Sequence, residues 1–138
     1  GERVLLVDDD EMVRRSIQRL LERQGFVAES VGGGREALAR VAAPHDPQVD
    51  VMLLDVAMPD IDGIETLRTL RETHPTLPVL LYSGYPDRVQ STLELDQHTA
   101  FSGKPFEPGR LTAQLIELMT GTRTSTVPGA AERAYRPR

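Results

Sequence analysis

Residues 3–10 of the chain read Arg-Val-Leu-Leu-Val-Asp-Asp-Asp, an apolar run that ends in three consecutive acids. Four adjacent apolar residues with no polar alternation are typical of a strand covered on both faces, as in a parallel sheet. Residues 51–54 repeat the pattern as Val-Met-Leu-Leu and are followed by Asp55. Both runs are too short to cross a bilayer. They predict two central strands of one sheet, each followed by acidic side chains.

Three further strand-like runs flank these two, and helical patterns separate all five. We predict strands over residues 3–7, 26–31, 49–54, 78–82 and 99–102. The first helical pattern places apolar positions on one face from residue 13 to residue 24 and stops at Gly25. Four more helices are predicted over about residues 35–43, 64–74, 87–95 and 108–119. This alternation predicts an α/β domain in which helices cover both faces of a parallel sheet.

The composition limits the chemistry that the chain can perform. Its 138 residues fit one domain of ordinary size. The sequence has no cysteine, which excludes disulfides, thiolate chemistry and zinc–cysteine sites. No basic stretch followed by an apolar one opens the chain, so we expect no secretory signal. We therefore expect a cytoplasmic domain that makes no contact with a membrane.

Charge is unevenly distributed along the chain. Residues 121–138 contain four arginines and one glutamate, a net charge of +3 within a total of −5. Residues 1–120 therefore carry −8, which opposes direct binding to the phosphate backbone of nucleic acid. The segment 121–138 is poor in apolar residues. We expect this segment to be a disordered tail or linker behind a domain that spans residues 1–120.

Polar and charged side chains follow the predicted strands at the edge where their carboxyl ends meet. Asp8 and Asp9 follow the first strand, and Asp55 follows the third. Ser83 follows the fourth strand, and Lys104 comes shortly after the fifth. Carboxylates this close together require a counter-charge, and Mg²⁺ suits oxygen ligands and leaves room for a phosphoryl group. Lys104 is the only lysine among sixteen basic residues, which favours a site that needs a compact positive charge.

The ordered set of motifs at these strand ends resembles the receiver domain of two-component response regulators. The resemblance covers roughly residues 2–120. It rests on Val-Asp-Asp at 7–9, Leu-Asp-Val-Ala-Met-Pro at 54–59, Asp-Gly at 62–63, Ser-Gly at 83–84 and Lys-Pro-Phe at 104–106. What it implies for the fold is a single flavodoxin-like, doubly wound (βα)5 domain. Five helices would surround a five-stranded parallel sheet with strand order 2-1-3-4-5.

The resemblance also implies a phosphoacceptor and a metal site. Asp55 would be the residue that is phosphorylated, on its side-chain carboxylate. Asp8, Asp9 and Asp55 would hold Mg²⁺, with the backbone carbonyl of Ala57 as a further ligand. Mg²⁺ would then neutralise charge on the transferred phosphoryl group.

Three further positions would bind the phosphoryl group or respond to it, as the resemblance implies, and a fourth would carry a cis peptide bond. Ser83 would hydrogen-bond the phosphoryl group, and Lys104 would form an ion pair with it. Phe101 would be the aromatic residue whose rotamer follows Ser83, so that these two residues form the switch. The bond that precedes Pro105 would be cis.

The resemblance further implies how the domain works in a pathway. A histidine kinase or a histidine phosphotransfer protein would supply the phosphoryl group, and the domain would promote only its own phosphorylation and dephosphorylation. A homodimer would form through the predicted fourth helix, fifth strand and fifth helix. Residues 81–85, Leu-Tyr-Ser-Gly-Tyr, resemble the receivers of hybrid histidine kinases more than those of transcription factors, and we favour the receiver of a hybrid sensor kinase over a single-domain regulator. The parent protein of such a receiver would itself be a kinase and could be membrane-bound.

One departure from the family pattern lies before the fifth strand. Receivers commonly have Gly-Ala there, whereas residues 95–99 read Leu-Asp-Gln-His-Thr. This segment borders the predicted fourth helix, so the shape of the output surface cannot be taken from the family.

Three alternatives remain open from the residues alone. Asp10 is either a further acid of the site or simply the N-cap of the first helix, and we favour the cap. The chain could be a degenerate receiver that acts only by binding. It could also be a haloacid-dehalogenase-like phosphatase with Asp8 as nucleophile and Asp10 as general acid, but this leaves Asp55 without a role.

Overall fold

The computed structural model describes residues 1–44, 47–84, 96–104 and 107–121 of the chain. Five strands and four helices lie in these ranges: β1 (Arg3–Val7), α1 (Glu11–Arg23), β2 (Val27–Val31), α2 (Gly34–Ala42), β3 (Val51–Asp55), α3 (Gly63–Thr73), β4 (Val79–Ser83), β5 (Thr99–Gly103) and α4 (Pro108–Thr120). The helix predicted over 87–95 and the tail predicted beyond residue 121 lie outside the described residues. None of the helices in these ranges combines the length and the apolar character needed to cross a membrane.

The five strands form one parallel sheet in the order β2-β1-β3-β4-β5. This confirms the α/β class and the predicted flavodoxin-like strand order. All five residues of β3 and of β4 are buried, as are the last four of β1. The strands with continuous apolar runs are therefore the central ones, which a cover of helices on both faces requires.

A hydrophobic core lies on each face of the sheet. The first core contains Val4, Leu6, Ile17, Leu21, Phe26, Val51, Leu53, Leu80, Tyr82, Leu111, Leu115 and Leu118. The second contains Leu5, Val7, Ala37, Val49, Met52, Leu54, Leu67, Leu70, Val79 and Leu81. Alternate residues of each central strand belong to opposite cores, because successive side chains of a strand point to opposite faces. α1 and α4 cover the first face, and α2 and α3 cover the second.

Strand ends differ from the prediction by one or two residues. Asp55 and Ser83 are the last residues of β3 and β4, whereas the sequence placed them just beyond the strands. The ladder extends this far because Asp55 pairs with Tyr82 and the backbone N–H of Val56 donates to the Tyr82 carbonyl at 3.0 Å. The sheet therefore holds the backbone of both residues directly and leaves their side chains at its carboxyl edge.

Helix starts agree with the capping chemistry of the sequence. Asp10 is the N-cap of α1, and its carboxylate accepts from the N–H groups of Met12 (2.9 Å) and Val13 (3.2 Å). Asp62 caps α3 in the same manner, accepting from Glu65 N at 2.8 Å. The favoured interpretation of Asp10 as a cap is thereby confirmed.

Candidate functional site

Three carboxylates meet at the carboxyl edge of the sheet. Asp8, Asp9 and Asp55 each offer one oxygen, and these oxygens all lie within 4.8 Å of one another. Asp8 and Asp55 are buried, while Asp9 is exposed at the entrance to α1. The convergence predicted from the strand ends is therefore present in the fold, with one face of the acidic cluster open to solvent.

The Asp8 carboxylate is held from two sides. Its Oδ1 accepts a hydrogen bond from the backbone N–H of Asp10 at 2.9 Å. Its Oδ2 accepts from the hydroxyl of Tyr82 at 2.5 Å. The carbonyl of Asp8 accepts from the guanidinium of Arg14 at 2.7 Å, which ties the end of β1 to α1. Asp8 is thus fixed in both its backbone and its side chain.

Asp55 lies between a like charge and an opposite charge. Its Oδ1 accepts from Lys104 Nζ at 3.2 Å and from the backbone N–H of Ala57 at 3.3 Å. Burial, followed by the negative charge of Asp8, raises the pKa of Asp55 above its usual value, and Lys104 opposes the rise. The ionised form of Asp55 is therefore under-compensated by the protein groups around it.

Lys104 reaches the acids from the end of β5. Its ammonium nitrogen lies 4.8 Å from the centroid of the Tyr82 ring as well as 3.2 Å from Asp55. Its backbone N–H donates to the carbonyl of Ser83 at 2.9 Å, which continues the ladder between β4 and β5. The side chain remains about one-third exposed, at 35%. An ammonium in this position can form an ion pair with an anionic group that enters the site from solvent.

This donor set fits a hard divalent cation. Three carboxylates face one another across a few ångströms, and a single ammonium contacts one of them. Oxygen ligands of this kind suit Mg²⁺, which binds through one or two carboxylates and keeps several waters. A cation would also remove the repulsion between Asp8 and Asp55 that raises the pKa of Asp55.

The remaining predicted positions lie around this cluster. Ser83 is buried at the end of β4, next to the strand that carries Asp55. Phe101 lies on β5, half-buried and packed against the second core. The carbonyl of Ala57 and the switch role of Ser83 and Phe101 stay predictions. Pro105, with its predicted cis bond, lies outside the described residues.

The Asp-Gly pair at residues 62–63, which follows β3, is explained by the surroundings of Gly63. A Cβ at this position would lie 2.4 Å from the carbonyl oxygen of Asp55 and 2.8 Å from the Cα of Val56. Its N–H donates to the Val56 carbonyl at 2.8 Å. Backbone atoms cannot yield as a flexible side chain would, so only glycine lets α3 start this close to Asp55.

Two residues that the sequence did not single out contribute to the site. Tyr82 contacts Asp8 and lies beneath Lys104, as described above. Asp60 accepts from the N–H groups of Gly34 (3.4 Å) and Arg35 (3.3 Å), so the loop after Asp55 supplies the cap of α2. Burial alone would raise the pKa of Asp60, but backbone N–H bonds, that of Ile61 first and then those of Arg35 and Gly34, hold it below its usual value. A tyrosine in an otherwise aliphatic strand was the one available signal for Tyr82.

The stability of the metal-free protein should depend on the ionisation of Asp55. Because the pKa of Asp55 is raised in the folded state, its ionisation costs stability once pH rises through that pKa, and costs nothing below the unfolded-chain value of about 3.9. In EDTA at pH 7, Asp55→Asn should therefore raise Tm, because the amide carries no charge that has to be buried. Thermal melts of both proteins at pH 7 and near pH 4 check this. A difference that persists unchanged at the lower pH would contradict it.

The comparisons with known proteins agree with the site. The family described as "Response regulator receiver domain" matches residues 4–116. A response regulator, MprA of Mycolicibacterium vanbaalenii, is 37% identical over 133 residues, which are 96% of this chain and 55% of that protein. A sensor kinase, CckA of Brucella abortus, is 35% identical over 117 residues, which are 84% of this chain and 12% of that protein.

Solved structures agree as well. The receiver domain from the hybrid histidine kinase CckA superposes with a TM-score of 0.69 at 30% identity, covering 85% of this chain and 98% of that one. The chain belongs to the response regulator receiver family. It spans about half the length of MprA and about an eighth of CckA, two relatives that place the same kind of domain in different proteins.

Proposed function

We propose that Asp55 accepts a phosphoryl group from a phosphohistidine of a histidine kinase or a histidine phosphotransfer protein. The observation that carries the proposal is the placement of Asp55. It is buried at the end of β3, within the acidic cluster and in contact with the only lysine of the chain. Membership of the receiver family, which acts in two-component signalling, supports the same reaction.

The transfer balances as an in-line displacement. A carboxylate oxygen of Asp55 attacks phosphorus, the P–N bond to the donor imidazole breaks, and the bonding pair stays on the imidazole nitrogen. Lys104, already 3.2 Å from Asp55, compensates charge on the transferred oxygens. Asp8 and Asp9, with the Ala57 carbonyl, would hold Mg²⁺, which supplies neutralising charge for the phosphoryl oxygens.

The phosphorylated state then changes the surface. A new dianionic group beside Ser83 offers an acceptor to its hydroxyl, and Ser83 lies on the strand that pairs with β5. Movement of Ser83 biases Phe101, which packs half-buried on β5, between two positions. We expect this shift to change the output face of the domain. A homodimer would form on that face, through the helix predicted over residues 87–95, β5 and α4.

The protein that contains this domain is proposed to be a cytoplasmic single-domain regulator or a hybrid sensor histidine kinase, and we favour the hybrid kinase. The similarity to the sensor kinase CckA, at 35% identity, supports that choice. Direct nucleic-acid binding is disfavoured by the acidic body. The domain itself carries out only its own phosphorylation and hydrolysis.

The phosphatase alternative finds no support in the arrangement of Asp10. That alternative needs Asp10 as a general acid, but its carboxylate accepts from the first-turn amides of α1. The Asp10 carboxylate therefore serves as the N-cap of α1, and this leaves the phosphatase alternative without its general acid.

The test is intact mass after incubation with acetyl phosphate, with Mg²⁺ or with EDTA. The parent chain should gain one phosphoryl group only with Mg²⁺, and Asp55→Asn should gain none. Asp50→Asn is the matched control, because Asp50 lies just before the opposite end of the same strand and bonds Arg3 N at 2.7 Å. It should gain the group as the parent does. No gain by the parent under any condition would instead identify a degenerate receiver that acts by binding alone.

A further inference from the structure

Tyr82 is the one aromatic residue of β4, and its polar end lies inside the acidic cluster. The chain contains three tyrosines and no tryptophan. Tyr82 is fully buried in the first core, yet its hydroxyl donates to Asp8 Oδ2 at 2.5 Å. Buried tyrosines need a partner for this hydroxyl, and a leucine or valine would fill the same core without one. Packing alone therefore does not explain why this position carries a hydroxyl in contact with Asp8.

The tyrosine connects three strands of the site. It lies on β4 and pairs with Asp55 of β3, while its hydroxyl reaches Asp8 at the end of β1, on the far side of β3. The Lys104 ammonium lies 4.8 Å from the centroid of its ring. One side chain thus contacts the groups of opposite charge that flank Asp55.

We propose that Tyr82 is a positioning residue that holds the Asp8 carboxylate in the orientation needed to bind Mg²⁺. Each carboxylate oxygen has two lone pairs. The Asp10 N–H uses one on Oδ1 and the Tyr82 hydroxyl uses one on Oδ2, so each oxygen keeps a lone pair for a cation. Two donors on two oxygens also fix the plane of the carboxylate, which would otherwise rotate. The inference rests on the proposed Mg²⁺-dependent phosphorylation and adds a residue to its metal site.

Tyr82→Phe isolates the hydroxyl because it keeps the ring, its place in the core and its contact with Lys104. Loss of a hydrogen bond to a metal-ligating group typically weakens metal affinity by about 10–100-fold. We expect a loss of at least ten-fold in Mg²⁺ affinity. It is measured for both proteins as the rise of Tm with MgCl₂ concentration, since a ligand that binds only the folded state stabilises it by mass action.

A purely structural role of the tyrosine predicts a different pattern. In that case Tyr82→Phe changes Tm equally at every Mg²⁺ concentration and leaves the affinity unchanged. The phosphorylation rate separates the two roles as well. For Tyr82→Phe we expect a higher Mg²⁺ concentration to be needed for half the maximal phosphorylation rate, while the maximal rate itself stays unchanged. Tyr82→Leu, which also removes the ring beneath Lys104, should lower the maximal rate too.

The absorption of Tyr82 provides a readout that needs no phosphorylation. The near-ultraviolet band of a tyrosine depends on the acceptor of its hydroxyl, so Mg²⁺ binding to Asp8 should alter it. The difference spectrum upon Mg²⁺ addition should be present in the parent and lost in Tyr82→Phe. With no tryptophan in the chain, only two other tyrosines contribute to this band.

The outcomes separate the inference from the proposed function. Unchanged or tighter Mg²⁺ binding by Tyr82→Phe overturns the inference, even if the parent is phosphorylated on Asp55. Weaker binding supports the inference, even if acetyl phosphate fails to modify the parent, because binding is measured without a donor. A parent that binds no Mg²⁺ overturns the inference, since Asp8 would then have no metal to bind.

Discussion

Lys104→Met should lower the rate of Asp55 phosphorylation by acetyl phosphate about 100-fold or more, with little loss of folded protein. The ammonium is the only positive side-chain group recorded in contact with Asp55 within the described ranges, at 3.2 Å. Without it, the buried carboxylate and Asp8 face each other with no protein counter-charge, and charge on the transferred oxygens is not compensated. Removal of one preorganised donor of this kind typically costs 10²–10³ in rate.

Lys104→Arg is the informative comparison. It keeps the positive charge but replaces a compact ammonium by a planar fork, which fits a pocket built for a point charge poorly. We expect an intermediate rate, above that of Lys104→Met and below that of the parent. Stopped reactions analysed by intact mass give all three rates. Equal rates for the parent and Lys104→Met would show that Lys104 takes no part in the reaction. Thermal melts verify that both variants are folded.

The acidic cluster is predictable from sequence because its geometry follows from topology. Parallel strands bring their carboxyl ends to one edge, so Asp8 and Asp55 must be neighbours once β1 and β3 are adjacent. The apolar runs that precede these acids identify β1 and β3 without ambiguity. The role of Asp10 as an N-cap is equally predictable, since a cap is a local interaction with the next three residues.

Other features of the site depend on partners far away in sequence. Tyr82 bonds Asp8 across 74 positions, and Asp60 caps α2 across 25 or 26 positions. Neither contact leaves a periodic or local signature. The sequence predicts the end of β3 one residue too early for a related reason. Asp55 pairs with Tyr82 of β4, and the sequence does not reveal the register between these two strands. Long-range hydrogen bonds are the part that sequence patterns cannot supply.

The segment before β5, where the sequence departs from the family pattern, is contacted by Arg71 of α3. Asp96 Oδ1 accepts from His98 N (2.8 Å) and Thr99 Oγ1 (3.0 Å), which forms a turn, and its Oδ2 lies 3.3 Å from Arg71 Nε. Arg71 Nη2 also donates to Thr99 Oγ1 at 2.7 Å and to the His98 carbonyl at 3.2 Å. Where other receivers commonly have Gly-Ala, this chain has a polar turn that one arginine holds.

Arg71 secures a second connection with its other terminal nitrogen. Arg71 Nη1 donates to the carbonyls of His74 (2.9 Å) and Leu77 (2.8 Å), which lie between α3 and β4. The guanidinium is mostly buried, with 16% of the side chain exposed. One side chain therefore satisfies carbonyls on the approaches to both β4 and β5.

Arg71→Met should lower the free energy of unfolding by about 3 kcal/mol. Methionine fills much of the same volume, so the cost comes from the partly buried carbonyls and the half-exposed Asp96 that lose their donor, and each such loss costs about 1 kcal/mol. Arg68→Met, an exposed position on the same helix, should change the free energy of unfolding by less than about 0.5 kcal/mol. Urea unfolding of both variants measures the two values. A small effect at Arg71 would mean that water replaces the guanidinium, and the turn before β5 would then be held by Asp96 alone.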